Sequence, residues 1–170
     1  MKQMTLCLAI VLFASNMAAA QETNSLQVDY NGFLNISQEL VKYRESRLID
    51  IETFNECSQE ENTLILDTRS KKAFDEIHIK GAVHLNFSDF TKASLESVIG
   101  DKNRKILIYC NNNFDSPLEA LMSKSRPLAL NIPTFINLYG YDYKNIYELG
   151  DYLDQEDHRV QFEGTKVSTK

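Results

Sequence analysis

Two short apolar runs constrain this chain more than any other feature. Thr63-Leu64-Ile65-Leu66 ends in Asp67, and Lys105-Ile106-Leu107-Ile108-Tyr109 ends in Cys110. Neither run alternates polar with apolar residues. Each therefore reads as a strand covered on both faces, the habit of parallel sheets. Asn145 to Leu149 reads as a further core strand, Ala82 to Leu85 as another, and Arg47-Leu48-Ile49 as a short one. Helical stretches separate them. An apolar stripe through Phe33, Leu34, Ile36, Leu40, Val41 and Tyr43 predicts an amphipathic helix over 33–44. Asp50 caps a helix over 51–57, Lys71 to Glu76 forms a short one, Ser88 opens another that Gly100 stops, and a last one closes at Gly140. Either Asn131 and Pro133 start that last helix, or Pro133 kinks one that begins at Pro127; the sequence leaves both open. Alternating strand and helix requires right-handed crossovers. The expected fold is α/β, a doubly wound parallel sheet of about five strands with helices on both faces.

At 170 residues and 43% hydrophobic composition the chain has room for one domain with a core. Residues 1–20 read as a cleavable signal peptide. Lys2 is the positive end, Leu6 to Ala14 a short apolar stretch, and Ala18-Ala19-Ala20 the small-residue cleavage site before Gln21. A retained anchor helix is the alternative, against which the shortness of the apolar run counts. Without that segment 17 basic residues face 24 acidic ones, a net charge of −7. Such an acidic chain with no basic run argues against nucleic acid and anionic membranes as partners. The expectation is an exported protein, periplasmic or secreted. It comprises an extension over 21–46 that holds the amphipathic helix, a domain over 47–153 and a tail over 154–170.

In open parallel sheets, ligands sit beyond the carboxyl ends of the strands. Asp67 with Arg69 lies just past one core strand, and Cys110 just past another. A cysteine there starts a loop of backbone N–H groups leading toward a helix N-terminus, which favours an anion and predicts a lowered thiol pKa. A buried cysteine acting as a small apolar residue is the alternative. The exported chain keeps Cys57 and Cys110. Cys57 precedes the first core strand and belongs near the amino edge of the sheet, while Cys110 lies at a carboxyl edge. A five-residue strand spans about 16 Å and bridged cysteines need Cα atoms within about 7 Å, so the two are expected to be unpaired. His78, His84 and His158 are not at ligand spacing, so no metal is expected. Asn35-Ile36-Ser37 and Asn86-Phe87-Ser88 are formal glycosylation sequons.

Several of these residues together resemble the rhodanese family. Leu66-Asp67-Thr68-Arg69-Ser70, then Phe74, then His78-Ile79-Lys80-Gly81-Ala82 is similar to the family's Asp-x-Arg, aromatic and His-Ile-x-Gly-Ala signature. Ile108-Tyr109-Cys110 resembles the strand that delivers its catalytic cysteine. Leu138 to Tyr141 and Lys144 to Leu149 are similar to its closing helix, turn and strand. The resemblance covers about residues 47–153 and implies a rhodanese-like fold. It also implies transfer of sulfane sulfur from a small donor such as thiosulfate to a thiol or other thiophilic acceptor. Cys110 is then the nucleophile and persulfide carrier, and no cofactor is implied.

The active loop departs from the family pattern Cys-x-x-Gly-x-Arg. It reads Cys110-Asn111-Asn112-Asn113-Phe114-Asp115, with Asn113 at the Gly position and Asp115 at the Arg position. The span from Cys110 to Gly140 also exceeds what a short loop and one helix need, and the excess lies in 111–127. Asn is the best non-Gly residue for unusual backbone angles, so Asn111, Asn112 and Asn113 are expected to form an anion nest and to add amide donors. Phe114 completes the expected loop. Asp67 and Arg69 are expected to order the strand ends. Lys124 and Arg126 are expected as solvated loop charges, with replacement of the missing Arg as the alternative. The expected function is an exported sulfurtransferase. A non-catalytic rhodanese-fold binding or redox-sensing module is the alternative.

Overall fold

The computed structural model describes residues 27–167. The expected signal peptide, residues 1–20, lies outside the described residues. The described residues from Asn31 onward form one compact unit, set apart from those before it. The sheet, its covering helices from Asn31 onward and the Cys110 loop all belong to this unit.

In chain order the elements are α1 (Tyr30–Glu45), β1 (Leu48–Ile49), α2 (Ile51–Ser58), β2 (Thr63–Asp67), α3 (Lys71–Glu76), β3 (His78–Ile79) and β4 (Val83–His84). Then come α4 (Lys92–Ile99), β5 (Lys105–Tyr109), β6 (Phe114–Asp115), α5 (Asn131–Gly140), β7 (Ile146–Leu149), β8 (Leu153–Asp154) and β9 (Phe162–Glu163). The main sheet runs β1-β7-β5-β2-β4, every pair parallel, with β5 at its centre. This is the expected architecture. The alternation along β2, β5 and β7 explains the unbroken apolar runs. Leu64, Leu66, Ile106, Ile108 and Ile146 pack against Leu40 of α1, Leu95 and Ile99 of α4, and Phe135 and Leu138 of α5. Ile65, Leu107, Tyr109 and Leu149 face the other way, against Ile51 and Phe54 of α2.

Local chemistry sets the helix ends. Thr53 N–H donates to Asp50 Oδ1 at 2.8 Å, and Thr91 and Ser94 cap α4 reciprocally. The expected opening at Ser88 is a separate 3-10 turn over Phe87–Asp89, capped by Asn86; α4 begins three residues after it. Gly100 stops α4 at φ +75°. The closing helix starts at Asn131, with Pro133 in its first turn, where a missing N–H breaks no intrahelical bond. Pro127 belongs to a distinct 3-10 turn over Arg126–Leu128.

Two boundaries differ from the sequence reading. Residues 154–167, read as a tail beyond the domain, pair with it and pack on it. Asp154 lies in β8, which pairs with β6, and β9 pairs antiparallel with β3. Val160 is buried and Phe162 packs on the core. Thr165 N–H and Lys166 N–H donate to the carbonyls of Asp75 and Glu76, which end α3. Gly164 makes this approach possible: its φ is +135°, and a Cβ would stand 2.6 Å from Glu76 O. At the other end, α1 is part of the fold, because Leu40 is buried and Ile36 and Tyr43 pack beside it.

Candidate functional site

Cys110 follows the central strand directly, in an extended conformation, and Asn111–Asn113 then makes one 3-10 turn. The chain does not return at once to a helix. It enters β6, then makes two further 3-10 turns over Glu119–Leu121 and Arg126–Leu128, and comes back at Leu130 and Asn131, the start of α5. The backbone N–H groups of Asn131, Asn112 and Leu130 lie near enough to the Cys110 thiol to favour its thiolate form. The anion cradle is therefore shared between the loop and a helix N-terminus, whose dipole adds to it.

The thiol is nonetheless not acidic. Cys110 is 1% exposed. Burial pushes its pKa above the ordinary thiol value, the N–H groups of Asn131 and Asn112 pull it back, and the Glu148 carboxylate pushes it up again. The expected lowering is reversed, because desolvation outweighs the cradle and a buried carboxylate stands nearby. Glu148 is 4% exposed and is held from two sides. Arg44 of α1 grips it with Nε and Nη2 at 2.7 and 2.6 Å, and Asn131 Nδ2 donates to it at 3.2 Å.

The three asparagines work through their side chains, and on the scaffold. None of them has a positive φ, so tolerance of unusual backbone angles is not what they supply. Asn113 Oδ1 accepts from Cys110 N–H at 2.9 Å, and its Nδ2 donates to Leu149 O and Asp151 O at 2.8 and 3.0 Å. It thereby ties the end of β5 to the end of β7. Asn111 Nδ2 donates to Met122 O, and Asn112 exchanges hydrogen bonds with the backbone of Lys124. Both amides pin the inserted segment, and only the main-chain N–H of Asn112 serves the sulfur. Phe114 is not a loop residue; it is 1% exposed, edge-on to Tyr109 and Phe162 in the core. Asp115 lies exposed on β6 and does not line the Cys110 cavity.

Asp67 and Arg69 act as expected, as fasteners. Both are buried, with Arg69 Nη2 2.6 Å from Asp67 Oδ2. Arg69 also donates to Ile77 O and to Ala120 O of the inserted segment. Tyr109 Oη donates to Asp67 at 2.5 Å and accepts from Ile79 N–H, and burial lifts its phenol well above the usual value. His78 stacks on Phe74 and bonds to its carbonyl, His84 bonds to Arg69 O, and His158 is exposed. Among the described residues no group of His, Cys, Asp or Glu is placed to hold a metal ion, and no helix is long and apolar enough to cross a membrane. Cys57 and Cys110 are both free. Cys57 Sγ lies 3.6 Å from Nζ of Lys105, the first residue of β5, hence at the amino edge.

Cys110 forms part of the wall of a cavity of about 620 Å³, together with Arg44, Asn112, Asn131, Glu148 and Asp151. Lys124 and Arg126 line it too. The expected solvated charges are thus exposed side chains that also face the site. Sequence reasoning missed Arg44, Leu130, Asn131 and Glu148. Glu148 alone carried a signal: it is a carboxylate at an alternation position that is otherwise apolar.

A model of the rhodanese-like domain family matches residues 38–150. Among solved structures, the BH2092 protein of Bacillus halodurans is similar at a TM-score of 0.50 and 15% identity, covering 78% of this chain and 88% of that one. The Alr3790 protein of Anabaena sp. aligns at a TM-score of 0.46 and 17% identity, over 68% of this chain and 80% of its own. No curated protein matches the sequence.

Proposed function

Because the chain belongs to the rhodanese-like domain family, we propose that Cys110 accepts and passes on sulfane sulfur as a persulfide. The observation that carries this reading is the place of Cys110, in the wall of a cavity at the carboxyl end of the central strand, with the start of α5 and its backbone N–H groups beside it. Such preorganised donors favour a sulfur anion. In the first step the Cys110 thiolate attacks the outer sulfur of a donor such as thiosulfate. The new S–S bond forms as the old one breaks, and sulfite leaves with the bonding electron pair. In the second step an acceptor thiolate attacks the outer sulfur of the persulfide and returns Cys110 as a thiolate. Lys124 and Arg126 are the cations at hand for an anionic donor, in place of the missing loop arginine. The raised thiol pKa makes turnover with thiosulfate slow near neutral pH.

Intact mass after incubation with thiosulfate tests the reading. A gain of about 32 Da, one sulfur, confined to Cys110 and lost on adding dithiothreitol, is expected. An unmodified chain, or equal loading of Cys110→Ser, overturns it. A second reading is favoured by the burial of the thiol and by loop amides spent on the scaffold: a rhodanese-fold binding or redox-sensing module without turnover. It predicts no sulfur adduct on Cys110, and, for a module that only binds, no alkylation of Cys110 before denaturation. We also propose export, on the apolar stretch and small-residue site of residues 1–20. A mature chain beginning at Gln21 in the periplasm or medium is the expected result, and a chain retaining Met1 overturns it.

A further inference from the structure

β2 is covered unevenly along its length. On one side β5 pairs with all of it, Thr63 to Asp67. On the other side β4 pairs only with Leu66 and Asp67. The chain leading into β4 turns away at Gly81, so Thr63 to Ile65 form an edge of the main sheet. The exposures follow this boundary. Leu66 and Asp67 are 0% exposed, whereas Leu64 and Ile65 retain 5% and 8%. Their side chains are packed in the two core layers, and Thr63 N–H is already bonded to Glu60 O, which leaves Ile65 N–H and Thr63 O as the groups on this edge.

A cavity of about 740 Å³ opens on this edge. Its volume lies in the range of built ligand sites, about 300–1,000 Å³. Lys80, Arg104 and Arg159 line it, with Val83 and the amides of Gln59 and Gln161, and no Asp or Glu does so among the described residues. Arg159 is matched by Asp157 and Glu52 outside the cavity, and Glu163, whose Oε1 accepts from Gly81 N–H at 2.9 Å, stands near Lys80. Arg104 adds a third cation to the wall, with no carboxylate paired to it among the described residues. Val83, 40% exposed, offers an apolar contact beside the charges.

An uncovered strand edge supplies main-chain hydrogen bonds to an added strand, and the lining side chains select its sequence. We propose that the Thr63–Ile65 edge of β2 docks an extended acidic segment of another protein, which adds to the sheet as a strand. Its carboxylates meet Lys80 and Arg104 and an apolar side chain meets Val83. The site is independent of the Cys110 cavity, with which it shares no lining residue.

The test uses the full chain and a fluorescein-labelled hexapeptide that alternates Glu and Val. Fluorescence anisotropy is expected to show saturable binding, weakened by about tenfold in Lys80→Glu/Gln59→Glu, a change worth about 1.4 kcal/mol. Both substituted positions are exposed. The same peptide with N-methylated main chain is expected to lose binding to the wild-type chain, a comparison that needs no variant to fold. Hydrogen exchange is expected to slow within Thr63–Ile65 when the peptide is bound. Equal binding of the N-methylated peptide reduces the groove to a patch of charge and overturns the proposal. So does the absence of binding, or protection mapped elsewhere. Concentration-dependent dimerisation that protects Thr63–Ile65 without peptide makes a second copy of this chain the occupant and likewise overturns it.

Discussion

Cys110 is governed by its neighbours more than by its own chemistry. Glu148 stands close enough for its charge to disfavour the thiolate, and Arg44 holds that carboxylate in place at 2.6 Å. Glu148→Gln removes the negative charge and leaves the Arg44 cation, so both changes favour the thiolate. The midpoint of a pH profile of iodoacetamide labelling at Cys110 is expected to fall; an unchanged midpoint means Glu148 does not act on the sulfur. Asn113 matters in a different way. Its amide joins Cys110 N–H, Leu149 O and Asp151 O, and each is left without that partner in Asn113→Ala. Buried unpaired groups cost about 1–3 kcal/mol each, so a loss of about 3 kcal/mol or more in urea unfolding is expected. A loss near zero would show that water replaces the amide. Stability is also tied to pH. Cys110 and Tyr109 both hold their protons to higher pH in the folded chain than when unfolded. Their contribution is complete below a pH of about 8.5 and is lost as pH climbs through the folded values. Thermal melts are expected to fall above that point, and Cys110→Ser is expected to remove the earlier part of the fall.

At the level of elements, the inserted segment decides the site. It carries Asp115 out onto β6, brings Leu130 and Asn131 over the sulfur, and is fastened by Asn111, Asn112 and Arg69. Asp115→Arg is therefore expected to leave thiosulfate loading of Cys110 unchanged, measured as the rate of sulfur gain. A clear rise would place residue 115 in the cavity after all. Helix α1 contributes Arg44 to the same site. Arg44→Ala leaves Glu148 buried without its counter-charge, with the Asn131 amide as its remaining side-chain partner. Arg44 is itself 35% exposed, so the cost is discounted to about 1–3 kcal/mol. A chain lacking α1 loses both this ion pair and the Leu40 packing.

On the scale of the whole molecule, the C-terminal end of the described chain closes the fold. Val160 and Phe162 cover the layer that holds Phe114 and Tyr109, and β9 is joined to β3 beside the end of α3. Gly164→Ala puts a methyl group 2.6 Å from a backbone oxygen at a left-handed φ, so the β9 end must move. A lowered melting temperature is expected, together with faster hydrogen exchange in 159–167. A variant as stable as the wild type would show that this closure adds nothing.

The strands and the family were legible because they rest on short-range pattern. A run buried on both faces is apolar wherever it lies in the fold, so Thr63–Leu66 and Ile106–Tyr109 announced a parallel sheet, and the spacing of Asp67, Arg69, His78 and Gly81 added the family. Caps at Asp50 and Gly100 are local in the same way. The roles of Arg44, Glu148 and Asn131 were not legible, because residues about a hundred positions apart meet there. The thiol pKa depends on a balance of burial, donors and charge that no stretch of sequence contains. Asn113 was singled out for its backbone tolerance and as an amide donor to an anion, yet its amide is spent on the scaffold, since only the folded chain brings Leu149 O and Asp151 O within its reach. Residues 154–170 read as a tail because Val160 and Phe162 are isolated in polar sequence. Their partners, Phe114 and the α3 end, are supplied from far along the chain by tertiary packing.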